Sequence, residues 1–168
     1  MAIIFPEGQQ DYPARFGNIV TKANTTSYVI SVNNSGFTNL TNCAVSITPR
    51  STSSQILLLV NINGLCSNTA YFRMLRGSTV IGGGTGTSGS IRSVWNGSFF
   101  RVGDNNHSSS HSNYYLDSPS TTSSVTYQAQ ASSDSNTSFY LNRNNNGGTG
   151  TTSYRAMSTL VAIEIEAE

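Results

Sequence analysis

The residues best equipped for chemistry are two histidines four apart, His107 and His111 in DNNHSSSHSNYY, and a glycine run, Gly84-x-Gly86-x-x-Gly89, in GGGTGTSGS. On a helix the histidine spacing would put both imidazoles on one face and supply two ligands for a zinc ion. The serines and asparagines around them favour turns over helices, and no third ligand lies near, so the pair reads as polar loop residues. The glycine run has the spacing of a dinucleotide fingerprint, with Asp104 downstream. That fingerprint works because a helix opens at the glycines and its first amides hold the pyrophosphate. The segment after the glycines, SIRSVWNGSFF, is instead rich in β-formers and broken by Asn96-Gly97, so the run reads as a loop. No lysine stands at its end, which removes a P-loop as well.

Serine is abundant, yet no Gly-x-Ser-x-Gly elbow is present, and Asp104, Asp117 and Asp134 all stand in turn-like sequence. No nucleophile, base and orienting group can be assembled, so an enzyme is not expected, nor is a cofactor or a bound metal. Cys43 and Cys66 sit on or beside predicted strands without a CxxC or Cys/His pattern, which favours buried free thiols over a disulfide. Only 10% of residues are charged and the net charge is +1. The basic residues, nearly all arginine, are scattered singly from Arg15 to Arg155, so neither nucleic acid nor an anionic membrane is an expected partner. The opening stub Ala2-Ile3-Ile4-Phe5 ends at Pro6, far short of the roughly 20 apolar residues that span a bilayer. It also lacks the basic n-region and cleavage site of a secretory signal, and is not expected to act as one.

The elements that must position any site are strands. No segment repeats apolar residues at helical spacing over three turns, whereas period two recurs. In NCAVSITP, Cys43, Val45 and Ile47 share one face, and in VTYQAQ, Val125, Tyr127 and Ala129 do the same. TAYFRMLRGSTVI predicts a hairpin turning at Arg76-Gly77-Ser78. Two segments break the alternation: Ile56 to Val60 and Leu160 to Ile163 are apolar without interruption. A strand apolar on both faces must be covered on both, and with so few charges a second subunit is the expected cover. Loops are expected at 82–90, 103–113, 131–137 and 142–153. Short strands joined by Gly/Ser/Asn-rich loops point to an all-β antiparallel sandwich or jelly roll of roughly eight strands, with residues 1–17 as an extended arm and residues 18–168 as the body.

MAIIFPEGQQDYPAR, VSITPRSTSSQILLLV, FRMLRGST, YYLDSPSTTSSVTYQAQ, YLNRN and STLVAIEIEA together resemble a family of small virion proteins of tailed phages, especially those of cyanobacteria. The resemblance implies a jelly roll similar to the C1q and tumour-necrosis-factor trimers, in a structural protein assembled in the infected bacterial cytoplasm. It implies a homotrimer, with Leu57, Leu58, Leu59, Val161 and Ile163 as candidates for its interface. The compact body, without coiled coil or fibrous repeat, favours a capsid decoration or cement protein. Its arm would dock on the major capsid protein or another virion protein through Ile3, Ile4, Phe5, Pro6, Tyr12 and Pro13. The alternative is a tail-fibre or receptor-binding protein, with His107, His111, Tyr114 and Tyr115 on a receptor-facing loop and carbohydrate as its ligand.

Overall fold

The computed structural model describes residues 15–83, 96–99, 108–146 and 153–166, and the residues proposed for the arm's contacts, Ile3 to Pro13, lie outside them. Eleven strands occur in this order: β1 (Arg15–Asn24), β2 (Tyr28–Val32), β3 (Thr38–Ile47), β4 (Gln55–Cys66), β5 (Ala70–Arg76), β6 (Thr79–Ile81), β7 (Asn96–Phe99), β8 (Ser109–Asp117), β9 (Val125–Ser133), β10 (Thr137–Leu141) and β11 (Ser158–Glu166). They form two antiparallel sheets, and no helix occurs among the described residues.

In the first sheet β4 is central. One edge pairs with β8 from Ile56 to Gly64. The other takes β11 along Gln55–Asn61 and β10 along Gly64–Cys66, so those two lie end to end. β1 and β2 flank them in the same way. In the second sheet β9 lies between β3 and β5, and β6 and β7 share the far edge of β5. The two inner faces meet in one core, with Leu40, Ile56, Leu58, Tyr127, Phe139 and Leu160 fully buried.

Local sequence explains the elements. Cys43, Val45 and Ile47 are buried on β3, as are Val125, Tyr127 and Ala129 on β9, where alternation requires them. The hairpin forms as expected, with Arg76 opposite Thr79 and Gly77 at φ 58° in the turn. Cys43 and Cys66 are both buried free thiols, and burial pushes each thiol up from its ordinary range. Residues 15–17, assigned to the arm by sequence, already pair with β11: Arg15 faces Glu166 and Phe16 faces Ile165. Two expected loops are partly strand. Ser109 to Asn113 belong to β8, and Ala131 to Ser133 to β9.

Strands laid end to end leave a break in the ladder, and a buried amide must fill it. Asn142, wholly buried at φ 58°, does so. Its carboxamide donates to the Asn24 carbonyl (2.7 Å) and the Thr26 carbonyl (3.0 Å), and accepts from the Ser158 hydroxyl (2.6 Å). Its own N–H donates to the Asn63 carbonyl and its carbonyl accepts from Ala156. One side chain therefore joins the β1/β2 break to the β10/β11 break.

A second buried polar group closes the end where the chain enters the sheet. Glu164 is wholly buried, and its carboxylate accepts from the backbone N–H of Asn18 (2.9 Å) and of Arg50 (2.5 Å). Asn18 needs this acceptor because the β1–β11 ladder is irregular between Phe16 and Ile19. Gly17 is required beside it, since a Cβ there would strike the carboxylate. Burial alone would raise the Glu164 carboxyl; the two amides and the nearby Arg50 charge outweigh burial and hold it below the usual range.

Both buried groups can be tested by substitution. Asn142→Gly keeps the left-handed backbone but strands buried donors and acceptors, so it should lower stability by about 2–4 kcal/mol. Asn142→Ala should lose about 1 kcal/mol more through the positive φ; urea midpoints measure both. Because the folded Glu164 carboxyl lies below its unfolded value of about 4.3, its contribution is present above that pH and disappears as pH falls through the folded value. Glu164→Gln should therefore cost about 2 kcal/mol at pH 7, with the gap to the parent narrowing below about pH 4 in thermal unfolding.

Candidate functional site

The two doubly apolar segments are neighbours in the first sheet. Leu59 stands opposite Val161 and Leu57 opposite Ile163. With Ile56, Leu58, Val60, Leu160 and Ala162 committed to the core, the alternate residues must point away from it. The pairing extends their rows outwards. Leu116, Leu57, Ile163 and Ile19 form one row across the sheet; Tyr114, Leu59, Val161 and Thr21 form the next. Phe16 and Ile19 are 66% and 60% exposed, Tyr114 is 74% exposed, and Leu59 and Leu116 are also exposed. Large apolar side chains gathered in this way on one face make a contiguous exposed apolar patch.

The third row is polar: Ser112, Asn61 and Thr159. Here the Asn61 amide donates to the hydroxyls of Ser110 (2.9 Å) and Ser112 (2.6 Å), and its carbonyl oxygen accepts from Asn63 (2.6 Å). Between the apolar and polar rows lies a concavity of about 530 Å³ lined by Leu59, Asn61, Ser112, Tyr114, Thr159 and Val161, among others. None of the described residues that line it is charged, so its walls suit apolar groups or neutral hydroxyls.

The residues chosen from sequence divide on this geometry. Leu57, Leu59, Val161 and Ile163 share the outer face, whereas Leu58 is wholly buried among core residues and does not face a partner. Of the receptor-facing group, the three described members do not share one face. Residues 109–117 form a strand, so Tyr114 points outwards, while Tyr115 packs against the core and His111 stacks on Phe72 at 5.4 Å. Burial pulls the His111 imidazole below its ordinary range. His107 lies outside the described residues. Phe16, Ile19 and Leu116 escape sequence reasoning, because single apolar residues in RFGNIVTKAN and NYYLDS carry no run to detect; only the pairing collects them.

The titratable cluster inside the sandwich is a tie between sheets. Asp117, at the end of β8, accepts from the Tyr127 hydroxyl (2.8 Å) and from Arg76 on both oxygens (3.0 and 3.1 Å). Burial first, and then the Asp117 carboxylate, push the Tyr127 phenol far above its ordinary range. The phenol hydroxyl donates to Asp117, and the bond links the two sheets. Among the described residues, no three His, Cys, Asp or Glu side chains gather as metal ligands. No described helix is long and apolar enough to cross a membrane. Compared with known proteins, the chain matches no protein-family model and no curated sequence.

Proposed function

We propose that this chain is a structural protein of a tailed-phage virion, a trimeric capsid decoration protein whose copies meet through the outer face of the first sheet. The observation that carries this reading is the pair of apolar rows centred on Leu57, Leu59, Val161 and Ile163, flanked by exposed Ile19, Leu116 and Tyr114. Obligate interfaces resemble a core cut in half, and these rows have that character. The strand order supports a jelly roll. Taking β1/β2, β6/β7 and β10/β11 as divided strands, the chain crosses between sheets at every step except the β5–β6 hairpin, and leaves β1/β2–β10/β11–β4–β8 in one and β3–β9–β5–β6/β7 in the other. The resemblance to phage virion proteins, carried by the segments from MAIIFPEGQQDYPAR to STLVAIEIEA, supplies the particle. The arm, with Ile3, Ile4 and Phe5 as apolar anchors and Pro6 and Pro13 keeping it extended, docks on the shell, and three tethered arms gain from multivalency.

A second reading, a tail or receptor-binding protein, draws on exposed Tyr114 beside a neutral concavity with hydroxyl and amide walls, a combination that suits carbohydrate. Copy number separates the two readings: a decoration protein covers the head in many copies, and a tail part is present in few.

Leu59→Asp and Val161→Asp should each convert the assembly to folded monomers in light scattering, because they place a charge at a desolvated contact. Leu58→Asp should instead prevent folding, since that side chain is in the core. A parent protein that stays monomeric at micromolar concentration removes the trimer. Deleting residues 2–13 should leave the trimer intact and abolish its binding to particles stripped of the protein; undiminished binding removes the anchoring role of the arm.

A further inference from the structure

The outer face of the second sheet carries an arginine held differently from the others. Arg73 on β5, Gln130 on β9 and Asn39 on β3 are direct cross-strand neighbours. Arg73 Nε donates to Gln130 Oε1 (2.6 Å), and Gln130 Nε2 donates in turn to Asn39 Oδ1 (2.7 Å). The guanidinium carbon lies 4.1 Å from the centre of the Phe37 ring. Gln130 is only 8% exposed, so the group that grips the arginine is itself fixed.

The other arginines whose side chains are described give terminal nitrogens to an acceptor. Arg50 bonds Glu166, Arg76 bonds Asp117, Arg143 bonds the Asn145 carbonyl and Arg155 bonds the Tyr154 carbonyl. Arg73 uses Nε alone, and among the described residues neither of its Nη groups has an acceptor. Burial also pulls its pKa down, as expected of a cation partly stripped of water and left without a counter-charge among the described residues.

We propose that Arg73, held by Phe37, Gln130 and Asn39, binds a carboxylate carried on an acidic side chain of a partner protein. A guanidinium pinned at Nε and stacked on a ring presents its two Nη groups as a planar fork, the geometry that pairs with both oxygens of a carboxylate. The orientation is set before binding, so little side-chain entropy remains to be lost. The source is a protein because Arg73 is only half-buried on the outer face of the sheet. A small free anion would stay largely in water there, whereas a carboxylate borne on a second surface brings its own cover. This site lies on the opposite sheet from the apolar rows and does not rest on the assembly reading.

The test is a titration of the whole protein, read at the Arg73 Nε–Hε and Gln130 carboxamide resonances, with sodium acetate replacing sodium chloride at constant ionic strength. A saturable shift confined to these groups is expected, and N-acetyl-glycyl-glutamyl-glycinamide should saturate them at lower concentration than acetate. Read at Gln130, Arg73→Lys should weaken binding about tenfold, because a point charge replaces the fork. Phe37→Ala should weaken it about threefold, the size of an exposed cation–π contact. A linear shift no larger than that produced by chloride overturns the site, as does equal binding by Arg73→Lys. Tighter saturation by glucuronate than by the glutamyl peptide overturns the protein partner in favour of an acidic glycan.

Discussion

β4 and β11 lie side by side with Leu59 opposite Val161 and Leu57 opposite Ile163, so the apolar residues that face away from the core form a continuous band. A strand cannot send all its side chains to one side. Once Ile56, Leu58, Val60, Leu160 and Ala162 fill the interior, their neighbours have only the outer face left. Each added row, from Leu116 on β8 to Ile19 on β1, widens the band instead of breaking it. The sandwich closes its own core and at the same time creates a second apolar surface of related composition. With 10% charged residues in the chain, there is little to keep such a surface in water.

Inside the sandwich, polar groups sit where regular pairing fails. Asn142 fills the gap between strands laid end to end, and Glu164 supplies the acceptor that the irregular start of β1 lacks. Gln128 plays the same part beside the bulge of β3, donating to the Leu40 and Cys43 carbonyls where the register slips between Asn39 and Ala44. In each case an unmet backbone group would cost more than burying a side chain whose bonding capacity is used. Such groups also fix register. A slip of β1 by one residue would carry Asn18 away from Glu164 and turn Ile19 inwards, so the carboxylate selects the pairing that leaves the apolar row outside.

How much of this is legible in the sequence depends on whether the signal is local. Alternation in NCAVSITP and VTYQAQ, and the glycine at the turn of MLRGST, are local, and the strands and hairpin are where they predict. The doubly apolar runs announce a second covered face, but parity within a run of leucines cannot tell Leu58 from Leu59; the core has to choose. SSHSNYY reads as loop because it is rich in turn formers. Pairing along nearly the whole of β4 overrides that propensity, makes the segment β8, and turns His111 and Tyr115 inwards. The Asn142 and Arg73 sites depend on partners brought together from across the chain, Asn24 to Ser158 in one and Phe37 to Gln130 in the other. No spacing in the sequence records such meetings.

Several of the few charges are used up inside the fold or at its rim. Glu164 and Asp117 are consumed internally, by backbone amides in one case and by Arg76 and Tyr127 in the other. Arg50 and Glu166 offset each other at the rim. The three described rows across β8, β4 and β11 carry no charged side chain: two are apolar and the third bears hydroxyls and amides. A neutral apolar face associates through area and discriminates weakly, whereas a fixed charge discriminates well and contributes little area. Arg73 stands on the other sheet, away from the band, with Gln130 holding its Nε. Because the apolar rows and Arg73 stand on different sheets, the proposed contacts at the two sites would not compete for the same surface.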